Sequence, residues 1–222
     1  MDNKQQAHVL QGQVTVPVSL PYLLYLPEEY DARRAWPLLL YLHGSGERGT
    51  DLELVKRHGP PKLIAEGQPF PFIVVSPQCA KFEGWMTKLH VLGLLLDEIE
   101  STYTIDAKRI YVTGNSMGGY GTWGLAIAYP QRFAAIAPIC GGGDPSAVCE
   151  IKGVPVWTFH GAKDTVIPVE HSEQMVERLK GCGGNVQFTI YPDVDHDSWT
   201  RTYANPQLYT WLLAQNKEEE KE

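Results

Sequence analysis

A serine lies among glycines in residues 111–120, which read Y-V-T-G-N-S-M-G-G-Y. The spacing of Gly114, Ser116 and Gly118 is the G-x-S-x-G pattern, which is specific when a strand precedes it and a helix follows it. There a tight turn exposes the serine hydroxyl near a helix N-terminus, where free N–H groups favour an oxyanion. The pattern therefore predicts that Ser116 is the nucleophile of an acyl-transfer reaction.

A serine hydroxyl is a poor nucleophile without a base, so the pattern requires a histidine and an acid. In this motif the usual order along the chain is serine, acid, histidine. Of the three histidines after Ser116, His196 lies in the loop after the last predicted strand and is interpreted as the base. Asp164, four residues beyond His160, is interpreted as the acid. We expect His160 to brace the Asp164 loop and His171 to be a solvated residue on a helix.

Other acids compete with Asp164 for this role. Asp144 follows the strand predicted for residues 134–139 and stays open as the alternative. Acids that neighbour a histidine in sequence seldom reach its far nitrogen while the ring faces the serine. That argument counts against the acids around His196, which are Asp193, Asp195 and Asp197.

Acyl transfer also needs hydrogen-bond donors aimed at the developing oxyanion. The motif predicts one donor in the N–H of Met117, directly after the nucleophile, and another in the loop after the first central strand. That loop reads H-G-S-G over residues 43–46, and we assign the second donor to the N–H of Ser45. His43 and Gly44, in the same loop, are predicted to contact the substrate.

Short apolar runs of strand length recur between helical segments along the chain. They lack strict alternation, as expected of parallel strands that are covered on both faces. The predicted strands comprise residues 38–42, 72–75, 110–112, 134–139, 154–159 and 186–190. The predicted helices comprise residues 89–103, 117–129, 169–180 and 208–215. This alternation predicts an α/β fold with a mostly parallel central sheet and helices on both faces.

The two ends of the chain differ from this pattern. Residues 14–26 are β-rich but interrupted by Pro17 and Pro21, which indicates two antiparallel strands at an edge of the sheet. Residues 217–222 read K-E-E-E-K-E and are predicted to be a charged, disordered tail. We predict a single domain over residues 1–216, with no segment large enough to form a cap domain.

Composition and charge narrow the classes of function. The 222 residues include 43% hydrophobic and 20% charged residues, which is typical of a globular chain with a sizeable core. The formal net charge of −7 argues against a nucleic-acid surface, which needs clustered Lys and Arg. The N-terminus lacks the pattern of a secretory signal, and no apolar run reaches membrane-spanning length. We therefore expect a cytoplasmic protein with no membrane partner.

The four cysteines, at positions 79, 140, 149 and 182, form no C-x-x-C pair and show no zinc spacing. We therefore expect four reduced thiols and no metal site. A bridge between Cys140 and Cys149 is the main exception that the spacing leaves open.

Together these motifs resemble those of the α/β hydrolases over nearly the whole chain. The chain is most similar to small serine carboxylesterases of the phospholipase/carboxylesterase and dienelactone-hydrolase group, including bacterial esterases often described as predicted peptidases. The matching segments are L-H-G-S-G-E-R-G, S-P-Q-C, R-I-Y-V-T-G-N-S-M-G-G-Y-G-T-W, F-H-G-A-K-D and H-D-S-W. The resemblance implies the same triad of Ser116, Asp164 and His196. Dienelactone hydrolases use a cysteine nucleophile, so Ser116 favours ordinary esters over lactones.

The resemblance also suggests roles for residues around this site. Trp85 and Trp199 lie in loops at the predicted catalytic edge. By analogy with the group they would wall the acyl or alcohol pocket, and the alternative is that they pack in the core or at its rim. Glu47 and Arg48 follow the loop at residues 43–46. They either form an ion pair that orders this loop or are solvated.

The sequence thus predicts a carboxylic ester hydrolase that acts on short-chain or small soluble esters through an acyl-enzyme on Ser116, without a cofactor. A serine peptidase or a polysaccharide-side-chain (acetyl or feruloyl) esterase would use the same triad and is an alternative. A non-catalytic binding protein on the same fold is the alternative from a different class. The sequence leaves the oligomeric state open.

Overall fold

Seven strands form one central sheet in the computed structural model, which describes residue 9, residues 11–12 and residues 15–217. In chain order, the strands are β1 Tyr22–Tyr25, β2 Trp36–Leu42, β3 Ile73–Pro77, β4 Ile105–Asn115, β5 Ala135–Ile139, β6 Val156–Gly161 and β7 Val186–Tyr191. Their order across the sheet is β1-β3-β2-β4-β5-β6-β7. β1 pairs antiparallel with β3, and the other neighbouring strands pair in parallel. The predicted α/β fold with a mostly parallel sheet is confirmed.

The sheet is buried because its central strands carry apolar side chains on both faces. All seven residues of β2 are buried, and successive residues point to opposite faces. Leu38 and Leu40 belong to the core on one side of the sheet, whereas Leu39 and Tyr41 belong to the core on the other side. A strand that is covered on both faces therefore appears in the sequence as a continuous apolar run.

Helices cover both faces of the sheet. They are α1 Gly59–Ala65, α2 Leu89–Thr102, α3 Met117–Ala128, α4 Glu170–Gly181, α5 Ser198–Tyr203 and α6 Pro206–Leu213. Residues of α2, α3 and α4 pack in the core that contains Leu38, and residues of α1, α5 and α6 pack in the core that contains Leu39. Within the described residues, no helix combines the length and the apolar character needed to cross a bilayer.

The parallel strands end at one edge of the sheet, and the loops after them carry the residues singled out from the sequence. β2 leads into residues 43–46, and β4 leads into Ser116. The loops after β6 and β7 carry Asp164 and His196. Because the carboxyl ends of parallel strands lie side by side, residues that are far apart in the sequence meet at this edge.

The N-terminal edge differs from the two antiparallel strands predicted within residues 14–26. The structure has one strand there, β1, which begins directly after Pro21. Proline cannot donate a backbone hydrogen bond, so Pro17 and Pro21 keep the preceding segment out of the sheet. Val14 and residues 218–222 of the predicted tail lie outside the described residues.

The prediction of four reduced thiols was wrong. Cys149 and Cys182 form a disulfide with 5.9 Å between their Cα atoms. Cys79 and Cys140 are free and buried, so Cys140 does not pair with Cys149. The pairing depends on packing, because Cys149 lies in the 3₁₀ turn Val148–Ile151, which contacts α4, and Cys182 directly follows α4.

We expect a Cys149→Ser, Cys182→Ser double variant to lower the free energy of unfolding by about 2–4 kcal/mol. The disulfide joins residues that are 33 positions apart and so restricts the unfolded chain. Urea unfolding followed by circular dichroism measures the difference. A reductant should lower the stability of the wild-type protein and leave that of the double variant unchanged. Equal stability of the wild-type protein with and without reductant would contradict this contribution.

Candidate active site

Ser116 forms the turn between β4 and α3, as the motif predicts. β4 ends at Asn115 and α3 begins at Met117. The backbone of Ser116 has φ 55° and ψ −115°, a conformation that residues other than glycine rarely adopt. Its N–H donates to the carbonyl oxygen of Ile139 in β5 over 2.9 Å. The turn is therefore held by the neighbouring strand, with Ser116 half-buried.

The glycines on either side of Ser116 are required by close backbone contacts. A Cβ on Gly118 would lie 1.8 Å from the carbonyl oxygen of Leu42, and a Cβ on Gly114 would lie 2.5 Å from the same oxygen. Non-bonded atoms do not approach so closely, so only glycine fits at these two positions. Both β4 and α3 consequently pack directly against the end of β2. This packing places Ser116 next to the loop that follows β2.

Ser116, His196 and Asp164 are brought together in a chain of hydrogen bonds. The hydroxyl oxygen of Ser116 lies 3.0 Å from Nε2 of His196. Nδ1 of His196 donates to Oδ2 of Asp164 over 2.7 Å. The side chain of Asp164 is fully buried, whereas that of His196 is 19% exposed. Solvent therefore reaches the imidazole and not the carboxylate behind it.

The loops after β6 and β7 are bonded to each other. The N–H of Lys163 donates to the carbonyl oxygen of Val194 over 2.9 Å. Gly161, at the end of β6, packs so closely that a Cβ there would lie 2.1 Å from the carbonyl oxygen of Asp195. Backbone contacts therefore set the distance between the two loops, and with it the distance between the predicted acid and base.

The carboxylate of Asp164 accepts hydrogen bonds at both oxygens. Oδ1 accepts the N–H groups of Val166 and Ile167, each over 2.9 Å, while Oδ2 accepts the bond from His196. Burial raises the pKa of Asp164, but the hydrogen bonds from His196 and the backbone outweigh burial and lower the pKa below its ordinary value. The carboxylate is therefore charged at neutral pH and can stabilise a protonated His196.

His160 contacts the loop of Asp164, in the position predicted for it. It is fully buried, and its Nε2 lies 2.8 Å from the carbonyl oxygen of Ile167 and 3.2 Å from Oδ2 of Asp164. Its Nδ1 lies 2.7 Å from the hydroxyl of Ser172, which donates to the carbonyl oxygen of Gly141. Burial lowers the pKa of His160. The ring thus joins the Asp164 loop to α4 and to the loop after β5.

The alternative acid, Asp144, is bonded within its own loop. Its exposed carboxylate accepts the hydroxyl and the N–H of Ser146 over 2.6 and 2.8 Å, and these bonds lower its pKa. Of the two acids that the sequence leaves open, the structure brings Asp164 to His196 and not Asp144. His171 is exposed on α4, as expected.

The two predicted oxyanion donors lie at the first positions of helical turns. Met117 begins α3, and Ser45 begins the 3₁₀ turn Ser45–Glu47. An N–H at such a position has no acceptor within its own helix and can bind an anion. The two segments are adjacent, since a Cβ on Gly44 would lie 3.0 Å from Nδ2 and 3.7 Å from the carbonyl oxygen of Asn115. The donors therefore lie on neighbouring backbone segments.

His43 and Trp85 are completely buried, so their contact with the substrate stays a prediction against which this burial counts. Nδ1 of His43 donates to the carbonyl oxygen of Gly44 over 2.5 Å, and Nε2 accepts the N–H of Cys79 over 3.0 Å. The indole N–H of Trp85 donates to the carbonyl oxygen of His43 over 2.9 Å. The loop after β3 folds inward and places Trp85 against the loop after β2. Gly44 is also buried, and all three residues brace the segment that carries Ser45.

Trp199, on α5, lies beside the predicted base. Its ring centroid is 5.2 Å from that of His196, and the two ring planes are nearly perpendicular. The side chain is half-buried. Its role as a wall of the substrate pocket stays a prediction.

Glu47 and Arg48 neither pair with each other nor are simply solvated, which were the two alternatives expected from the sequence. The guanidinium of Arg48 donates to the carbonyl oxygens of Ser45 and Glu83 over 3.0 and 3.3 Å, and so ties the loops after β2 and β3 together. Glu47 is buried and faces His58. Sequence reasoning missed this contact because the loop folds back and meets a residue from a different segment.

One group of possible metal ligands occurs among the described residues. Cys140, Asp164 and His196 place ligand atoms within 4.8 Å of one another. Asp164 and His196 already bond each other, and burial raises the pKa of the Cys140 thiol to about 12. A protonated thiol is a weak metal ligand, so the chemistry of this group does not favour a metal ion.

Comparison with known proteins places this chain in a family. The profile of the phospholipase/carboxylesterase family matches residues 68–210, well over half of the chain. That segment includes Ser116, Asp164 and His196.

Individual relatives include proteins longer than this chain. The crystal structure of a thermostable esterase has a TM-score of 0.79 and 36% identity, and the match covers 89% of this chain and 60% of that chain. A bifunctional acetylxylan esterase/xylanase of Neocallimastix patriciarum is 28% identical in an alignment of length 190 that covers 79% of this chain and 26% of that protein. The protein named "Probable feruloyl esterase C" of Aspergillus niger is 24% identical in an alignment of length 188 that covers 82% of this chain and 68% of that protein. The chain thus spans about a quarter of the first curated relative and less than two thirds of the thermostable esterase.

The buried His43 makes the stability of the fold depend on pH. Burial lowers its pKa from 6.5 to about 4, despite the hydrogen bond to Gly44. Between these pH values the unfolded chain binds a proton that the folded chain does not, so stability is lost as the pH falls through this range. From pH 7 to pH 5, we expect His43 to account for a drop of about 2 kcal/mol in the free energy of unfolding.

Urea unfolding at the two pH values, with wild-type protein and a His43→Gln variant, measures this contribution. Glutamine takes up no proton in this range, so the variant should lose less stability between pH 7 and pH 5. An equal loss in both proteins would show that His43 does not carry the effect.

Proposed function

We propose, on the premise that the chain belongs to the phospholipase/carboxylesterase family, that it is a serine carboxylesterase of the α/β-hydrolase fold. Ser116 is the nucleophile, His196 the base and Asp164 the acid. The observation that carries this proposal is the hydrogen-bonded chain at the sheet edge, 3.0 Å from Ser116 to His196 and 2.7 Å from His196 to Asp164. A serine beside a base that an acid orients is the arrangement that activates a hydroxyl for acyl transfer.

In the first half of the reaction, Oγ of Ser116 attacks the carbonyl carbon of the ester while Nε2 of His196 takes its proton. The carbonyl oxygen becomes an oxyanion that accepts hydrogen bonds from the N–H groups of Met117 and Ser45. The charged Asp164 stabilises the imidazolium. When the intermediate collapses, the alcohol leaves with the proton from His196, and the acyl group stays on Ser116.

In the second half, a water molecule gives a proton to His196 and attacks the acyl-enzyme. The same donors stabilise the second oxyanion. Collapse returns the proton to Oγ of Ser116 and releases the carboxylic acid. The balance is one ester and one water consumed for one acid and one alcohol, and the protein's own residues supply each proton transfer.

We propose small or short-chain esters as the substrates. Between residues 15 and 217, the helical segments other than α1 to α6 are 3₁₀ turns of three to six residues, too short to form a cap. A cleft without a cap over it offers little apolar surface to bury a long acyl chain.

Two relatives favour a second candidate substrate. One is an acetylxylan esterase/xylanase and another is named as a feruloyl esterase. An acetyl or feruloyl ester on a polysaccharide would be hydrolysed by the same triad. The Cys149–Cys182 disulfide agrees with this candidate, because such bonds are typical of oxidising compartments outside the cytosol. The cytoplasmic location stays a prediction, against which the disulfide counts.

Covalent labelling tests the nucleophile. We expect a fluorophosphonate probe to label the wild-type protein and not a Ser116→Ala variant, because the probe reacts with an activated serine. Assays with p-nitrophenyl acetate, butyrate and palmitate should show hydrolysis by the wild-type protein alone, fastest for the two short esters. Labelling of the folded variant would rule out Ser116. A preference for palmitate would rule out the short-chain substrates, and faster turnover of methyl ferulate or acetylated xylan would favour the second candidate.

Paired substitutions test the acid. Asp164→Asn should lower kcat by about 10³–10⁴-fold, because an amide neither holds the required tautomer of His196 nor stabilises its protonated form. Asp144→Asn is the matched control, since it makes the same change at the exposed alternative and should leave kcat nearly unchanged. Circular dichroism checks that both variants are folded. A large loss in Asp144→Asn alone would move the acid to that residue.

A further inference from the structure

Glu47 places a buried carboxylate beside the loop that carries Ser45. Its side chain is 6% exposed and lies at the end of the turn Ser45–Glu47. The chain folds back so that Oε2 of Glu47 and Nδ2 of Asn115 lie 3.2 and 3.0 Å from the point where a Cβ on Gly44 would be. A carboxylate that is removed from water needs compensating partners. The proposed mechanism gives this group no role.

Asn115 also lies beside Gly44, at the turn that carries Ser116. It is buried and directly precedes Ser116. The hydroxyl of Tyr41 donates to Oδ1 of Asn115 over 2.8 Å, and this bond holds the amide with Nδ2 towards Gly44. Glu47 and Asn115 therefore both lie beside Gly44, between the segment before Ser116 and the loop that carries Ser45.

His58 is the basic partner of Glu47. Its Nε2 lies 3.6 Å from Oε1 of Glu47, within the range of an ion pair but longer than a direct hydrogen bond. Among the described residues, it is the one basic side chain within 4.0 Å of this carboxylate. His58 is the residue before α1, and Gly59 packs so closely that a Cβ there would lie 2.5 Å from the ring of Tyr41. The backbone around His58 is thus fixed against β2.

The ring of His58 connects this pair to the base. Its side chain is 32% exposed, and its centroid lies 5.5 Å from that of Trp199. Trp199 in turn lies 5.2 Å from the ring of His196, and both contacts are edge-on. Aromatic rings are attracted in this orientation. A continuous row of side chains therefore runs from Glu47 through His58 and Trp199 to His196.

We propose that Glu47 and His58 are positioning residues that hold the Ser45 donor and the His196 base at a fixed separation across Ser116. This inference rests on the proposed function, in which the donor and the base act on the same tetrahedral intermediate. Neither residue contacts the reacting atoms, so both act through their neighbours. Because the oxyanion exists only after attack, their loss should lower kcat much more than it raises KM.

Two substitutions test Glu47 and His58 one at a time. Glu47→Gln removes the charge at nearly constant size, and His58→Leu removes the imidazole. We expect each variant to lose about tenfold to a hundredfold in kcat on p-nitrophenyl butyrate, since a misplacement of about 1 Å can cost a hundredfold. KM should change by less than about twofold, because the donor binds the oxyanion and not the ground-state ester. The rate at which the fluorophosphonate probe labels Ser116 should fall by the same factor as kcat.

Two further variants test whether the pair acts as one unit. The double variant should be no slower than the slower single variant, because either change already breaks the pair. His58→Gln should have a higher kcat than His58→Leu, because the amide nitrogen of the glutamine can reach towards Glu47. Glu53→Gln is the matched control, since it makes the same change at an exposed carboxylate in the neighbouring 3₁₀ turn Leu52–Arg57 and should keep the wild-type kcat.

Thermal unfolding and near-UV circular dichroism, measured on every variant, separate positioning from folding. The inference is wrong if kcat per folded molecule is unchanged in either single variant, or if the losses multiply in the double variant. If Glu47→Gln does not fold, the two variants at the partly exposed His58 decide the question. A wild-type protein that neither hydrolyses esters nor labels at Ser116 would overturn the proposed function instead.

Discussion

The direct contact of β4 and α3 with the end of β2 is the constraint on which the candidate site depends. Glycines at positions 114 and 118 let the backbone meet the carbonyl oxygen of Leu42 without an intervening side chain. The turn at Ser116 and the loop at residues 43–46 thereby become neighbours. The turn keeps Ser116 in a conformation that costs about 1–3 kcal/mol, and α3 packing and the bond to Ile139 offset this cost.

Three histidines at this edge of the sheet have different roles because their surroundings differ. His43 is fully buried with both ring nitrogens bonded to backbone groups, and burial holds its pKa at about 4. His160 is also fully buried and connects the Asp164 loop to α4 through Ser172. His196 is partly exposed, with a charged carboxylate on one nitrogen and a hydroxyl on the other. Because they are buried, His43 and His160 support the loops around them. His196 is partly exposed and so stays available for proton transfer.

Much of the fold could be predicted because burial on both faces leaves a continuous apolar run, which the central strands display. Elements with weak local patterns could not be predicted from the sequence. α1 and α5 have seven and six residues, too few to show a helical period. Two antiparallel strands were expected within residues 14–26, but the prolines there leave β1 as a single strand. The inward fold of the loop that buries Trp85 has no periodic signal at all, so position in a loop suggested exposure.

By itself, the sequence determined the α/β class and the strand-to-helix turn around Ser116. It also determined the short set of acids and histidines that could act together with Ser116. Those features depend on local patterns of apolar residues, glycines and chain order. The tertiary structure alone decided that Asp164 and not Asp144 meets His196, that Cys149 pairs with Cys182, and that Glu47 faces His58. Each of these contacts joins segments that are separate in the chain. Their distances follow from the packing of loops on the sheet, which residue spacing does not specify.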